Sequence, residues 1–292
     1  MSRWATAFAE KAPPESFFAV SAVFHYLGPA FAVLLFARVE VLGVAWLRIA
    51  SAALIFALWR RPWRTFAALD GEGRRVLIAW GTVLALMNCL FYSAIDRLPL
   101  GTVAAIEFLP VIVLAAVGAR TPRNLLALVM AVAGVYLLTD VVLAGEPLGV
   151  AFAVANAVLF ALYIILGARV AEQGAGAGID ALAASMLIAA VVVTPMAGWA
   201  VIPVLTDPVA LAAGIGVGVS SSVIPYVSDQ LALARMKRST YALLISLLPA
   251  TATVIGIVVL AQLPTVVEVI GVALVVAGVA VHQDRDRTQA EP

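Results

Sequence analysis

Charge is what this sequence has least of. Asp, Glu, Lys and Arg together make up 12% of its 292 residues, about half the share of a soluble globular chain. Eighteen basic and seventeen acidic side chains cannot cover a water-exposed surface of that size, and a net charge of +1 offers no basic excess for a nucleic-acid partner. One cysteine, Cys89, excludes an intrachain disulfide and a thiolate zinc cluster, and two histidines exclude most imidazole metal sites. No P-loop is present, so ATP drives nothing here. H-E-x-x-H, G-x-S-x-G and an intramembrane Gly-x-Gly-Asp motif are missing too. No metal or organic cofactor is expected. What the chain does have is apolar surface: 64% of it is hydrophobic, which makes it an integral membrane protein.

A helix crossing the hydrocarbon core takes about 20 apolar residues. Ten runs meet or approach that length, at about 17–36, 40–59, 76–95, 101–118, 124–143, 148–168, 180–199, 208–233, 240–262 and 265–282. Short connections leave no soluble domain between them, and the first run, followed by nine more, is not a cleaved signal peptide. The alternation of barrel strands is absent, so the spans are read as helices.

With the N-terminus in the cytoplasm, fifteen of the eighteen Lys and Arg residues fall on the cytoplasmic side. They are Arg3, Lys11, Arg60, Arg61, Arg64, Arg74, Arg75, Arg120, Arg123, Arg169, Arg235, Lys237, Arg238, Arg285 and Arg287. Arg38 and Arg97 fall outside, and Arg48 lies within span 2. Both termini are therefore expected in the cytoplasm.

The halves echo each other. Leu34-Leu35-Phe36-Ala37-Arg38-Val39 matches Ile165-Leu166-Gly167-Ala168-Arg169-Val170 at an offset of 131, which places His25 on Asn156. Glu107-Phe108-Leu109-Pro110 falls on Ser246-Leu247-Leu248-Pro249 at an offset of 139. Two five-helix repeats, 1–145 and 146–292 with a short cytoplasmic tail, are expected. An odd number of helices inverts the second repeat, an arrangement that carriers use to build a midplane site.

An ionisable group in mid-span is costly and so is a functional candidate. Glu107, seven residues into span 4, is the clearest. Pro110 removes a backbone donor three residues on, and a freed carbonyl with a carboxylate could bind an ammonium group or carry a proton. The plainer alternative is a helix–helix hydrogen bond from a protonated Glu107. Arg48 either grips a substrate carboxylate with its planar fork or pairs with Glu107. Asn88 and Tyr92 share a face of span 3. Ser222, Tyr226 and Asp229 form a stripe at i, i+4 and i+7 of span 8 beside Pro225, with Asp229 also placed to pair with Arg235. Asn156 and Tyr163 on span 6, and Ser21 and His25 on span 1, form weaker stripes. Glu107, Asp229 and His25 are the candidates for a coupling proton, although an interhelical hydrogen bond is the plainer role for His25.

Trp4, Trp59 and Trp63 read as interfacial anchors. Gly214, Gly216, Gly218, Gly271 and Gly278 read as close-packing positions, and Gly174–Gly178 as a flexible link. A membrane enzyme would need Glu107 and Asp229 as a dyad, without support from their spacing. A channel would need a ring of like residues, and none is visible. Single polar groups scattered over several helices, kinking prolines and a repeat favour a carrier.

The chain resembles the EamA branch of the drug/metabolite transporter superfamily over nearly its whole length. The most specific stretch runs from Met87-Asn88-Cys89-Leu90-Phe91-Tyr92 through Leu98-Pro99-Leu100-Gly101 to Ile106-Glu107-Phe108. Pro225-Tyr226 with Asp229 three residues on is similar as well, and Arg48 stands where a helix-2 arginine is common in the branch. Exporters with this motif series carry a second glutamate before the proline of span 9; here Leu248 precedes Pro249.

The resemblance implies an amino-acid exporter of the bacterial inner membrane, with substrates from threonine and homoserine to aromatic amino acids or a broad range. It implies alternating access, proton-linked or by facilitated diffusion, in a basket of helices around a central cavity. The site is expected between spans 1, 3, 4, 6 and 8. Glu107 would meet the substrate ammonium and Arg48 the carboxylate or Glu107, with Asn88, Tyr92, Asn156, Tyr163, Ser222 and Tyr226 around them. A drug or other metabolite exporter of the same fold is the alternative. One chain encloses such a cavity, so a monomer suffices.

Overall fold

The computed structural model describes residues 13–118, 121–143, 146–172, 178–233, 235, 244 and 247–281. Trp4, Arg3, Lys11, Arg120, Lys237, Arg238, Arg285, Arg287, Ser246 and the 174–177 part of the expected link lie outside these residues. No strand occurs among the described residues. In chain order the helices are α1 (Pro14–Leu35), α2 (Val41–Arg60), a short α3 (Pro62–Ala68), α4 (Gly71–Ile95), α5 (Leu100–Gly118), α6 (Pro122–Leu143), α7 (Pro147–Glu172) and α8 (Gly178–Ala197). A 3-10 segment (Gly198–Thr206) leads to α9 (Pro208–Gly218), a π-turn (Val219–Val223), α10 (Ile224–Leu233), α11 (Leu248–Leu260) and α12 (Val266–Val281).

Six helical stretches, Glu15–Leu35, Val41–Arg60, Gly71–Ile95, Pro147–Val170, Gly178–Thr206 and Pro208–Asp229, are long and apolar enough to cross a membrane. Four shorter apolar helices, Leu100–Pro110, Pro122–Leu138, Leu248–Leu260 and Val266–Val281, accompany them. The chain is a multi-pass membrane protein.

Local chemistry sets where the helices begin and end. Proline opens α1, α3, α6, α7 and α9, where its missing N–H is no loss and its fixed φ suits the first turn. The Asp70 side chain caps α4 by accepting from the Gly73 N–H at 2.7 Å. Asp207 caps α9 by accepting from the Val209 and Ala210 N–H groups at 3.0 Å. Left-handed residues at Arg61 (φ 52°) and Ala261 (φ 54°) end α2 and α11. The free N–H of Leu100 in the first turn of α5 donates to Gln262 Oε1 at 3.1 Å, which ties the start of α5 to the connection after α11. Leu54, Leu58, Val158 and Val258 point outward, while Ala45, Ala52, Ala104 and Ala105 are buried between helices. Large apolar side chains outside and small ones inside suit a helix bundle in lipid.

The run 208–233, expected to be interrupted at Pro225, is divided by a π-turn just before that proline. The extra residue per turn rotates the helix beyond it, so the expected stripe splits: Ser222 lies in the turn, and Tyr226 and Asp229 lie past it in α10.

The helices pair across the two halves. α1 packs on α9, the π-turn and α10, while α4 packs on α7; α2 packs on α8; α6 packs on α12; α5 packs on α11. Glycines set the close approaches, and they come in matching sets. A Cβ at Gly134 would fall 2.6 Å from the Gly271 carbonyl oxygen and 2.9 Å from Val275; one at Gly271 would fall 2.9 Å from the Gly134 carbonyl oxygen and 2.8 Å from Leu138. A Cβ at Gly81 would fall 2.8 Å from the Ser185 carbonyl oxygen and 2.6 Å from Ile188. One at Gly218 would fall 2.8 Å from the Arg48 carbonyl oxygen, with Ser51 Oγ closer still. In each set the residues correspond at one offset, 137: 134 with 271, 138 with 275, 81 with 218, 48 with 185, 51 with 188. The contacts are reciprocal: where i meets j′, j meets i′. Gly278 meets Ala127 and Ala131 while Gly271 meets Gly134 and Leu138, so α6 and α12 run antiparallel.

Candidate functional site

A cavity of about 600 Å³ lies between the halves. Its floor is built from mid-helix residues: Arg48 of α2, Asn88 and Phe91 of α4, Glu107 of α5 and Asn156 of α7. From there it runs toward one end of the bundle, past Gly167 late in α7 and Asp229 in α10 to Gly178 and Ala181 at the start of α8. No lining residue falls in 30–47, 92–106 or 183–225. At the opposite end Leu35, Val39, Ile95, Leu98, Leu100 and Val204 are buried in the main hydrophobic core. Among the described residues, the cavity lining thus reaches toward one end of the bundle and not toward the other.

Glu107 is bonded across the halves. Asn156 Nδ2 donates to Glu107 Oε1 at 3.0 Å, and the Asn156 Oδ1 has no donor among the described residues. Proline at position 110 leaves the Ile106 carbonyl without its helical N–H, so acceptors are concentrated at this point. Arg48, 6% exposed, donates from Nε to Ser222 Oγ at 3.0 Å and from Nη2 to the Ser221 carbonyl oxygen at 3.0 Å. Its guanidinium carbon sits 5.5 Å from the centre of the Tyr92 ring. Arg48 and Glu107 form no ion pair with each other within 4.0 Å; each takes its hydrogen-bond partner from the second half.

Arg48, Asn88, Glu107, Asn156, Tyr163, Tyr226, His25 and Asp229 all line the cavity, as does Ser21. Asn88 Nδ2 is bonded to the Leu84 carbonyl within its own helix at 2.8 Å. The His25 ring lies edge-on to Tyr26 and Tyr226, at 5.4 and 6.4 Å. Tyr92 and Ser222 stand outside the lining, beneath Arg48, where one offers its ring and the other its hydroxyl.

An aromatic wall escaped the reading from sequence. Phe18, Trp80, Phe91, Phe108 and Phe160 line the cavity with Met87 and Leu248. Trp80 stacks on Tyr163 at 5.3 Å, and Phe108 meets Phe160 edge-on at 6.0 Å. The available signal was spacing: 80, 87 and 91 on α4, and 160, 163 and 167 on α7, each fall on one helical face. Among the described residues, the buried side-chain polar atoms without a partner are Tyr26 Oη, Trp80 Nε1, Tyr92 Oη, Asn156 Oδ1 and Ser221 Oγ. They belong to residues of the lining or of the shell directly behind it, where unmet polar atoms mark functional ground. An acceptor pair, a guanidinium and aromatic rings around one cavity can hold a cation, an anion and an apolar body together.

Comparison with known proteins agrees with this architecture. The family described as the EamA-like transporter family matches residues 147–282. The threonine/homoserine exporter RhtA of Salmonella typhimurium (strain SL1344) is 32% identical over 265 residues, covering 86% of this chain and 84% of the exporter. The exporter of the same name from Escherichia coli (strain K12) is 31% identical over 262 residues, with the same coverage. A solved crystal structure covers 95% of this chain and 99% of its own, with a TM-score of 0.58 at 18% identity, a likeness of fold.

Proposed function

The chain belongs to the EamA-like transporter family, within the drug/metabolite transporter superfamily, and from that premise we propose that it exports amino acids across the bacterial inner membrane by alternating access. The observation that carries this reading is the chemistry of one cavity. The Glu107–Asn156 acceptor pair faces a substrate ammonium group, Arg48 faces a carboxylate, and the aromatic wall from Trp80 to Phe160 takes the side chain. The names of the relatives, exporters of threonine and homoserine, support an amino-acid substrate.

Ten spans in two inverted five-helix repeats, 1–145 and 146–292, are the topology on which the mechanism rests. The reciprocal glycine contacts at offset 137 and the antiparallel α6–α12 pair support it, as does the start of the family match at residue 147. The end toward which the cavity reaches is the end where Arg60, Arg64, Arg74, Arg75, Arg169 and Arg235 gather. That end is cytoplasmic by the positive-inside rule, with both termini on that side. On this reading the protein faces inward, and export proceeds by closing this end and opening the other. Asn88, Tyr163 and Tyr226 supply neutral contacts; Tyr92 and Ser222 act through Arg48. Glu107, Asp229 and His25 line the path a coupling proton would take. One chain carries the whole site, so a monomer is sufficient. Neither ATP, nucleic acid nor a cofactor has a place in the mechanism.

Overproduction in cells fed a dipeptide that is hydrolysed inside tests the reading. The internal pool of the released amino acid should fall faster than in cells making Glu107→Gln protein. Equal pools would contradict it. A second reading, export of a cationic aromatic drug or metabolite, draws on the same aromatic wall and single carboxylate; a cationic dye that leaves the cells while amino acids stay inside would favour it.

A further inference from the structure

One side chain belongs both to the cavity and to the junction that closes its far end. Arg48 lines the cavity, yet two of its three guanidinium nitrogens are spent on the π-turn, Nε on Ser222 Oγ and Nη2 on the Ser221 carbonyl. Among the described residues Nη1 has no hydrogen bond within 3.5 Å, and Tyr92 is a further neighbour of the guanidinium. Around this link the backbones press together: Gly28 of α1 lies against Ser221, and Gly218 of α9 lies against Ser51 and the Arg48 carbonyl. Here the backbone passes from i+5 bonding in the π-turn to i+4 bonding in α10, and Pro225, just past the turn, has no N–H to offer the turn's carbonyls.

We propose that Arg48 is a substrate-released latch: its guanidinium holds the π-turn against α2 while the cavity faces the cytoplasm, and a carboxylate that reaches Nη1 draws the guanidinium off Ser221 and Ser222. The proposal rests on the amino-acid reading above. A buried guanidinium must keep hydrogen-bond partners, so it does not leave the turn unaided. A carboxylate offers it two charge-assisted bonds in its own plane, stronger than those from a neutral carbonyl and a hydroxyl, so the exchange is favourable. Tyr92 stays beneath the guanidinium throughout and keeps a cation–π contact. The repeat gives the latch its direction. The counterpart of Arg48 at offset 137 is Ser185, whose hydroxyl turns back to the Leu182 carbonyl at 2.9 Å. The α4–α8 junction thus has the same glycine contact without a guanidinium across it, and the bundle is latched on one side only. Arg48 is, on this account, the residue that makes a carboxylate a condition of transport.

The test uses full-length protein in liposomes, with Cys89→Ser and a reporter Val39→Cys at the closed end, where Val39 is buried. Labelling by a membrane-impermeant maleimide is followed with phenylalanine, with phenethylamine, and without ligand. Phenylalanine should raise the labelling rate at least about threefold, and phenethylamine, which keeps the ring and the ammonium group but lacks the carboxylate, should leave it unchanged. Ser222→Ala, which removes one latch bond and keeps the charge, should raise labelling without ligand. Equal acceleration by acid and amine, or no rise in Ser222→Ala, overturns the latch while leaving an amino-acid carrier in place. Failure of every amino acid to be taken up removes the reading beneath it, and the latch with it.

Discussion

The Arg48 guanidinium and the carbonyl oxygen of Ser221 lie 3.0 Å apart, beside Pro225, which brings no N–H to this turn. An ordinary residue at 225 would add an N–H that competes for the carbonyls of the turn from which the arginine takes its acceptor. Two positions far apart in sequence, 48 and 221, thus define a single polar contact at the centre of the bundle. Glu107 is held in the same manner, by Asn156 of the other half. At the floor of the cavity the first half contributes the charges and the second half the neutral groups that position them.

Glu107→Gln keeps the shape of the site and removes its negative charge. A hydrogen bond to a charged group contributes about 1.5–3 kcal/mol, so substrate affinity should fall about 10- to 100-fold. Binding to purified protein, followed by calorimetry with wild type as reference, checks this. Unchanged affinity would remove Glu107 from the ammonium site.

Asn156→Leu is close in volume and cannot donate to Glu107. Loss of that bond should weaken binding about tenfold and lower unfolding stability by about 1 kcal/mol. A stability loss without any change in affinity would make Asn156 a strut between the halves and nothing more.

Trp80→Ala opens the aromatic wall and leaves Glu107 and Arg48 untouched. Phenylalanine should lose about tenfold more affinity than threonine, because only the larger side chain reaches the indole. Competition assays on the variant measure that ratio, and equal losses for both would show that the side chain lies elsewhere.

The reciprocal packing can be tested apart from transport. Gly134→Ala and Gly271→Ala each drive a Cβ into the backbone carbonyl of the other glycine. Each should cost on the order of 1–3 kcal/mol, read as similar falls in melting temperature in detergent. Gly216, where an added Cβ would meet nothing within 4 Å, should accept alanine without loss.

Much of the helix order was legible in advance, since apolar runs of about 20 residues leave few other arrangements in lipid. The span read at 148–168 is α7, Pro147–Glu172, and that at 40–59 is α2, Val41–Arg60. The motif echoes read from sequence lie at offsets of 131 and 139, whereas the reciprocal glycine contacts share an offset of 137 that no motif displays. Glycine contacts such as 81 on 185 join residues that share no sequence likeness. Ser222 was misplaced on the stripe of Tyr226 and Asp229 because a π-turn shifts the register without a composition of its own. Trp80 and Phe160 escaped for a different reason: on a helix that is apolar all round, an aromatic stripe facing a cavity has no polar face to contrast with. Arg48 was read as a costly mid-span charge that either grips a carboxylate or pairs with Glu107; the partners it has, a backbone carbonyl and a hydroxyl in the other half of the chain, leave no trace in spacing.

The measurement that bears most directly on the central claim is uptake of radiolabelled threonine, methionine and phenylalanine into liposomes holding the purified protein, with and without a pH gradient, beside empty liposomes. The account predicts saturable uptake above the empty control, lost in Glu107→Gln, with the response to the gradient separating proton coupling from facilitated diffusion. Uptake at the control level for all three, by protein shown to be folded, would contradict it.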